Sequence, residues 1–219
     1  MKQATNNRSR RAACVLPFLV FLSGTCFAGL KDGLADFDHG AYQPALAALQ
    51  PLAEKGDVSA QYTVGIASYE GLGTPQDYAL AMKWFSRAAA QDLAPAEYCV
   101  GVMLAHGEGV RANPAAAIAW YKRAAAHGYG PAFHNLAIQY GEGRGVSQDM
   151  AIALGYFMVS AERGVAQDAA TRDMLLLNLK PDKIAAARAL ARSLREAIKP
   201  VKLPPLPSLG GVGEATPAR

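Results

Sequence analysis

Cysteine is scarce in this chain: three residues in 219, at positions 14, 26 and 99. Two of them, Cys14 and Cys26, fall in an N-terminal stretch that reads as a removable leader, which leaves Cys99 alone and excludes an intramolecular disulfide framework. In an oxidising compartment a lone thiol is expected to be buried and inert. Paired cysteines at metal-ligand spacing are missing, as is an H-E-x-x-H motif. The four histidines, His39, His106, His127 and His134, lack the spacing of a zinc set. No serine sits in a nucleophile elbow. The apolar run from Ala12 to Leu22 is too short to span a membrane. These absences predict no catalytic, metal or cofactor site.

Residues 1–28 follow the plan of a secretory signal peptide. Lys2, Arg8, Arg10 and Arg11 precede the apolar run, and Gly24-Thr25-Cys26-Phe27-Ala28 supplies small residues before an expected cut after Ala28. Arg10-Arg11 also forms a twin-arginine pair. Cys26 would suit lipid attachment, although Thr25 is a poor residue before a lipidated cysteine. Export is therefore expected, to the periplasm or beyond it. Without the leader the chain has eighteen basic and eighteen acidic residues, so its basic isoelectric point of about 9.0 belongs to the leader. The exported protein gives no electrostatic argument for nucleic acid. Charge is unevenly placed: Gly29 to Leu179 has ten basic and fifteen acidic residues, and Lys180 to Lys202 has seven basic and two acidic.

What the chain does have is a repeat. Residues 58–93, 94–129 and 130–165 are three 36-residue units that align without a gap. Their columns include Ala60, Ala96 and Ala132; Gly71, Gly107 and Gly143; Gly73, Gly109 and Gly145; and Asp77, Asn113 and Asp149. The aromatic pairs Trp84-Phe85, Trp120-Tyr121 and Tyr156-Phe157 align too. A fixed period of this length predicts an elongated array in which each unit packs on its neighbours. Within a unit the first helix opens near Pro95 or Pro131 and closes at the first glycine, where a left-handed conformation is needed. The second glycine lets the chain reverse, and Asp77, Asn113 or Asp149 caps the second helix. Small residues are expected where helices touch: Gly65, Gly101 and Ala137 in the first helix, Ala79, Ala115 and Ala151 in the second.

The flanks complete an all-α plan. Residues 29–57 form an N-terminal half-unit, with helical spacing from Tyr42 to Lys55 in frame with the second helix of the repeat. Residues 166–199 hold a diverged unit and a capping helix over Lys183 to Ile198. Its apolar stripe of Ile184, Ala187, Leu190, Ala191, Leu194 and Ile198 opposes Arg188, Arg192, Arg195 and Lys199. Residues 200–219 are rich in proline and glycine and are expected to be a disordered or extended tail.

The Gly-x-Gly-Val runs at Gly107 and Gly143 and the run Trp120-Tyr-Lys-Arg-Ala-Ala125 resemble the Sel-one-like repeat family, a branch of the tetratricopeptide-type solenoids. Tyr140-Gly-Glu-Gly-Arg-Gly-Val and Gln76-Asp-Tyr-Ala also match its pattern. Ser68 and Leu104 replace the tyrosine usual before the first glycine, and Thr74-Pro75 replaces the usual valine. The resemblance implies a right-handed α/α solenoid. It also implies a non-catalytic scaffold that binds a protein or peptide in a concave groove lined mainly by first helices, as an adaptor in envelope assembly, secretion or signalling. Some secreted relatives hydrolyse β-lactams weakly, but they resemble arrays with a cysteine pair in each unit; an envelope-anchored structural protein is a further alternative. The glycine loop resembles a phosphate cradle only superficially, because a helix and not a strand precedes it.

Three columns of the first helix vary in chemistry while their neighbours stay small or apolar: Thr63, Cys99 and Asn135; Ala67, Met103 and Gln139; Glu70, His106 and Glu142. Three or four residues apart, they share one side of a helix and are the expected groove lining. His134, in the column of Tyr62 and Tyr98, is read as an amphipathic packing residue. The basic helix with Arg188, Arg192, Arg195 and Lys199 is read as a solvated face, with weak contact to an anionic membrane surface as the alternative.

Overall fold

The computed structural model describes residues 25–199 and 202–208; most of the expected leader lies outside them. Ten α-helices and no strands are found among the described residues. They are α1 (Thr25–Asp38), α2 (Tyr42–Glu54), α3 (Val58–Glu70), α4 (Tyr78–Ala89), α5 (Ala94–His106), α6 (Pro114–Ala126), α7 (Gly130–Glu142), α8 (Met150–Glu162), α9 (Gln167–Asn178) and α10 (Pro181–Ala197). From α1 to α9 each helix packs on the next in the chain, whereas α10 bypasses α9 and lies on α8. That succession of neighbour contacts is the α/α solenoid that a 36-residue period requires.

Local chemistry sets the helix ends as the sequence indicates. The carboxylates of Asp57 and Asp77 accept from the N–H groups of Ala60 and Leu80 at 2.8 and 2.9 Å. Asn113 accepts from Ala116 N–H at 3.0 Å, and Asp149 from Ala151 and Ile152. Gly71, Gly107 and Gly143 end the first helices in the left-handed conformation, with φ of 75°, 79° and 72°. One backbone bond closes every connecting loop: Asp77 N–H to Ser68 O, Asn113 N–H to Leu104 O and Asp149 N–H to Tyr140 O, at 2.8, 2.7 and 2.9 Å.

The second glycine of each loop does more than reverse the chain. A Cβ on Gly109 would lie 2.5 Å from the Tyr78 carbonyl, and one on Gly145 would lie 2.7 Å from the Ala115 nitrogen. Each loop is thus seated on the backbone at the start of the preceding unit's second helix, a contact only glycine permits at positive φ. The expectation about small residues needs a matching correction. Ala79 and Ala115 are exposed, because the loop meets their backbone and not their side chains. The column two residues on, Ala81, Ala117 and Ala153, is fully buried instead. Gly65 and Gly101 behave as expected: a Cβ there would come within 2.7 and 2.6 Å of the rings of Phe85 and Tyr121.

The core forms two apolar clusters, one under α1 to α5 and one under α5 to α10, and Cys99 and Leu104 touch both. Residues 29–38, ahead of the helical spacing read from Tyr42 onward, belong to α1, which buries Leu30, Leu34 and Phe37 at helical spacing. These three residues lie beyond the expected cut at Ala28. The described part of the tail meets the array. Residues 202–208 are an extended ribbon docked on the array, with Pro207 buried and Leu206 packed against the first cluster; residues 209–219 lie outside the described residues.

Candidate protein-binding surface

The three variable first-helix columns separate into a seam, a buried row and an exposed edge. The seam is the column of Thr63, Cys99 and Asn135, which meets the preceding unit. Cys99 lies against the Tyr62 hydroxyl, and Asn135 against the hydroxyls of Tyr98 and Tyr121. The same handover recurs one unit later, where His134 Nδ1 meets Asp168 Oδ1 at 2.7 Å and the ring stands edge-on to Phe157. Cys99 is a packing thiol: burial pushes it up to about 12, far from the thiolate form a nucleophile needs. Thr63 is fully buried and spends its hydroxyl on Ser59 O at 2.8 Å.

Ala67 and Met103 have no accessible surface, and Gln139 is buried with its side-chain carbonyl unpartnered. With Thr63 they must be withdrawn from the groove lining, because the neighbouring helices cover the side of the first helix that they occupy. Cys99 and Asn135 are half-buried. Only Glu70, His106 and Glu142 are exposed, in a row at the C-terminal ends of α3, α5 and α7. Glu142 pairs with Arg144 beside it.

Two features of this surface were not read from the sequence. The first is a buried carboxylate. Glu97 on α5 has no exposure, with Arg123 at 2.9 Å and His127 at 3.2 Å. Burial pushes its carboxyl above the usual range, against the opposing pull of Arg123 and, less strongly, of His127. Arg123 also reaches Asp92 at 3.4 Å and Ala89 O at 3.1 Å, and lies over the Trp120 ring. The repeat shows the origin of this cluster. One unit earlier the same two columns hold Gln61 and Gln91, which bond at 2.8 Å; one unit later they hold Phe133 and Arg163. Alignment of Gln61 with Glu97 and of Gln91 with His127 is the signal that could have found it.

The second is the ribbon. It leaves α10 where Lys199 N–H bonds to Ala126 O at 2.8 Å, and Leu203 then lines a concavity with Ala94, His127, Gly128 and Tyr129. Ser208 N–H finally meets Asp38 Oδ1 at 2.6 Å, across 170 positions of sequence. Lys199 thus meets the end of α6, a second helix, and residues 202–208 run past the start of α5 to the end of α1, both of them first helices.

On α10 the expected stripe faces α8, with Ala187 and Ala191 fully buried. Arg188, Arg192, Arg195 and Lys199 are exposed. Arg195 is held by Glu162 through two bonds of 2.6 and 2.8 Å, which hold the Glu162 carboxyl below its usual range. Among the described residues Arg188 and Arg192 have no carboxylate partner. No helix among those residues is long and apolar enough to cross a membrane.

Comparison with known proteins follows the same frame. The Sel1 repeat model matches residues 58–93, 94–129 and 132–165. The crystal structure of a Sel1 repeat protein from Oxalobacter formigenes superposes with a TM-score of 0.63 at 25% identity, covering 66% of this chain and 60% of that one. The crystal structure of c5321, a protective antigen present in uropathogenic Escherichia coli strains and displaying an SLR fold, gives 0.70 at 25% identity, covering 80% of this chain and 39% of that one. The chain thus spans less than two thirds of the length of either structure. Among curated proteins none matches it. Residues 58–165 are thus three consecutive Sel1 repeats in one frame, each with its capped helix pair and glycine-seated loop.

Proposed function

We propose that this chain is an exported, non-catalytic scaffold that holds a protein or peptide partner along its first helices, as an adaptor in envelope assembly, secretion or signalling. One observation carries the binding part: the array already holds an extended segment, residues 202–208, against first-helix ends. An α/α array offers a long surface of helix ends and loops on which an extended chain finds repeated apolar steps. Export is supported by the basic start and short apolar run of residues 1–22, and periplasmic residence is the simplest outcome. The description of c5321 as a protective antigen agrees with a family member that acts outside the cytoplasm.

Photo-crosslinking in intact cells tests the scaffold. A benzophenone amino acid at Glu70, His106 or Glu142 should trap a partner, and the same group at Lys83 or Ala119 on the second helices should not. Adducts only from Lys83 and Ala119 would contradict the first-helix surface. Mass measurement of the mature N-terminus tests the export route, with Gly29 as the expected first residue. Nitrocefin should remain uncleaved, because Cys99 is half-buried, unpaired and held in the thiol form by its surroundings.

A further inference from the structure

We infer that the surface beneath Lys202–Ser208 is the array's peptide-binding surface, and that its partner is an extended, proline- and leucine-rich segment of another protein, which must displace the chain's own copy. The inference rests on the scaffold reading and names the partner's chemistry. The docked segment is Lys-Leu-Pro-Pro-Leu-Pro-Ser. Pro204, Pro205 and Pro207 fix the backbone near the extended proline conformation and carry no N–H. Such a chain can lie on an apolar surface without stranding donors, and little entropy is lost on docking it.

The contacts are those of a ligand on a surface. The ribbon's ends are fastened, by Lys199 N–H to Ala126 O and by Ser208 N–H to Asp38 Oδ1. Between them the side chains carry the contact: Leu206 rests on the cluster under α1 to α5, and Pro207 is buried. Leu203 fills its concavity only in part, since 47% of it stays exposed beside Ala94, His127, Gly128 and Tyr129. Leu206 is the only ribbon residue joined to a core cluster among the described residues, so the array's packing stands largely without the ribbon. The distal fastening is one exposed bond to one carboxylate, which a competing chain can replace.

A tethered segment acts at an effective concentration of about 1 mM, so a free peptide of the same sequence meets a site that is already occupied. The test is fluorescence polarisation with a labelled Lys-Leu-Pro-Pro-Leu-Pro-Ser peptide on the full-length chain. The Leu203→Asp/Leu206→Asp variant, whose ribbon no longer fits, should bind at least about tenfold more tightly than the unaltered chain. A control peptide with aspartate at both leucines should not bind. Should that variant lose its helical signal, a second one decides: Asp38→Cys/Ser208→Cys in a Cys99→Ser background locks the ribbon by a disulfide. The oxidised form should refuse the peptide and the reduced form accept it. Equal affinity of locked and reduced forms, or equal binding of the control peptide, would overturn the inference. Partner adducts at His106 together with failure of the peptide would overturn it while leaving the scaffold in place. A dimer of the unaltered chain in light scattering would overturn the in-chain contact.

Discussion

The second helices α4, α6 and α8 hold equivalent places in their units, yet they are clothed differently. On α4 and α6 three outward columns are solvated: Ala79, Lys83 and Arg87, then Ala115, Ala119 and Arg123 are all exposed. On α8 the matching columns hold Ala151, Gly155 and Val159, and all three are buried. The cause is α10. Ala187 and Leu190 approach so closely that a Cβ on Gly155 would lie 2.9 Å from Leu190 Cδ2 and 3.1 Å from Ala187 O. The columns shared by all three helices face inward and carry the solenoid. Those that differ record what covers each unit, and α8 is apolar on its outward face where α10 encloses it.

The comparison can be broken at its root if the inward faces are not equivalent. Phe85→Ala and Phe157→Ala remove the same ring column from α4 and α8, and each should cost about 3–5 kcal/mol in a denaturant melt. A large loss at one and none at the other would mean the units do not share a core. The outward faces should diverge under the next pair. Gly155→Leu drives a side chain into α10 and should cost about 1–3 kcal/mol. Ala119→Leu, one unit earlier, should change stability by less than about 0.5 kcal/mol. Equal effects would remove α10 from α8.

Capping should again be equivalent. Asp77→Ala and Asp149→Ala each leave first-turn N–H groups without an acceptor, with an expected loss of about 1 kcal/mol each. The smallest effect concerns the polar clamp that separates the first two units. Glu97→Gln installs the chemistry of Gln61. Glu97 has its folded carboxyl raised by burial, so it favours folding below its ordinary value of 4.5 and loses that contribution as pH rises beyond it. Facing it are Arg123, His127 and Asp92, of which the first two oppose the shift and the last reinforces it. The Glu97→Gln melting temperature should match or exceed that of the unaltered chain at pH 7, with the gap narrowing toward pH 4.5. A gap that widens on acidification would reverse the assigned sign.

Much of the fold was legible because its determinants are local and repeated: capping side chains, paired glycines and the α10 stripe act within a few residues. The helix α1 was legible in principle from Leu30, Leu34 and Phe37, but a single stretch without a repeat partner carried less signal. Burial of the variable columns was not legible. Thr63, Ala67 and Met103 differ in chemistry, which marks a groove only if the neighbouring unit leaves them uncovered. Their burial depends on how one unit seats on the next, a geometry fixed by Gly73, Gly109 and Gly145 pressing on backbone. The ribbon was beyond reach for another reason. Its end pairs with Asp38 across 170 positions, and a proline-rich composition states how a chain extends, not where it rests.

The central claim is that first-helix ends hold an extended chain, at present the protein's own. A spin-label pair at Asp38→Cys and Ser208→Cys in the Cys99→Ser background measures that contact directly by double electron–electron resonance. The isolated protein should give one short distance, and excess Lys-Leu-Pro-Pro-Leu-Pro-Ser peptide should convert it to a long, broad distribution. A broad distribution without peptide, or a short distance that saturating peptide leaves unchanged, would contradict the account.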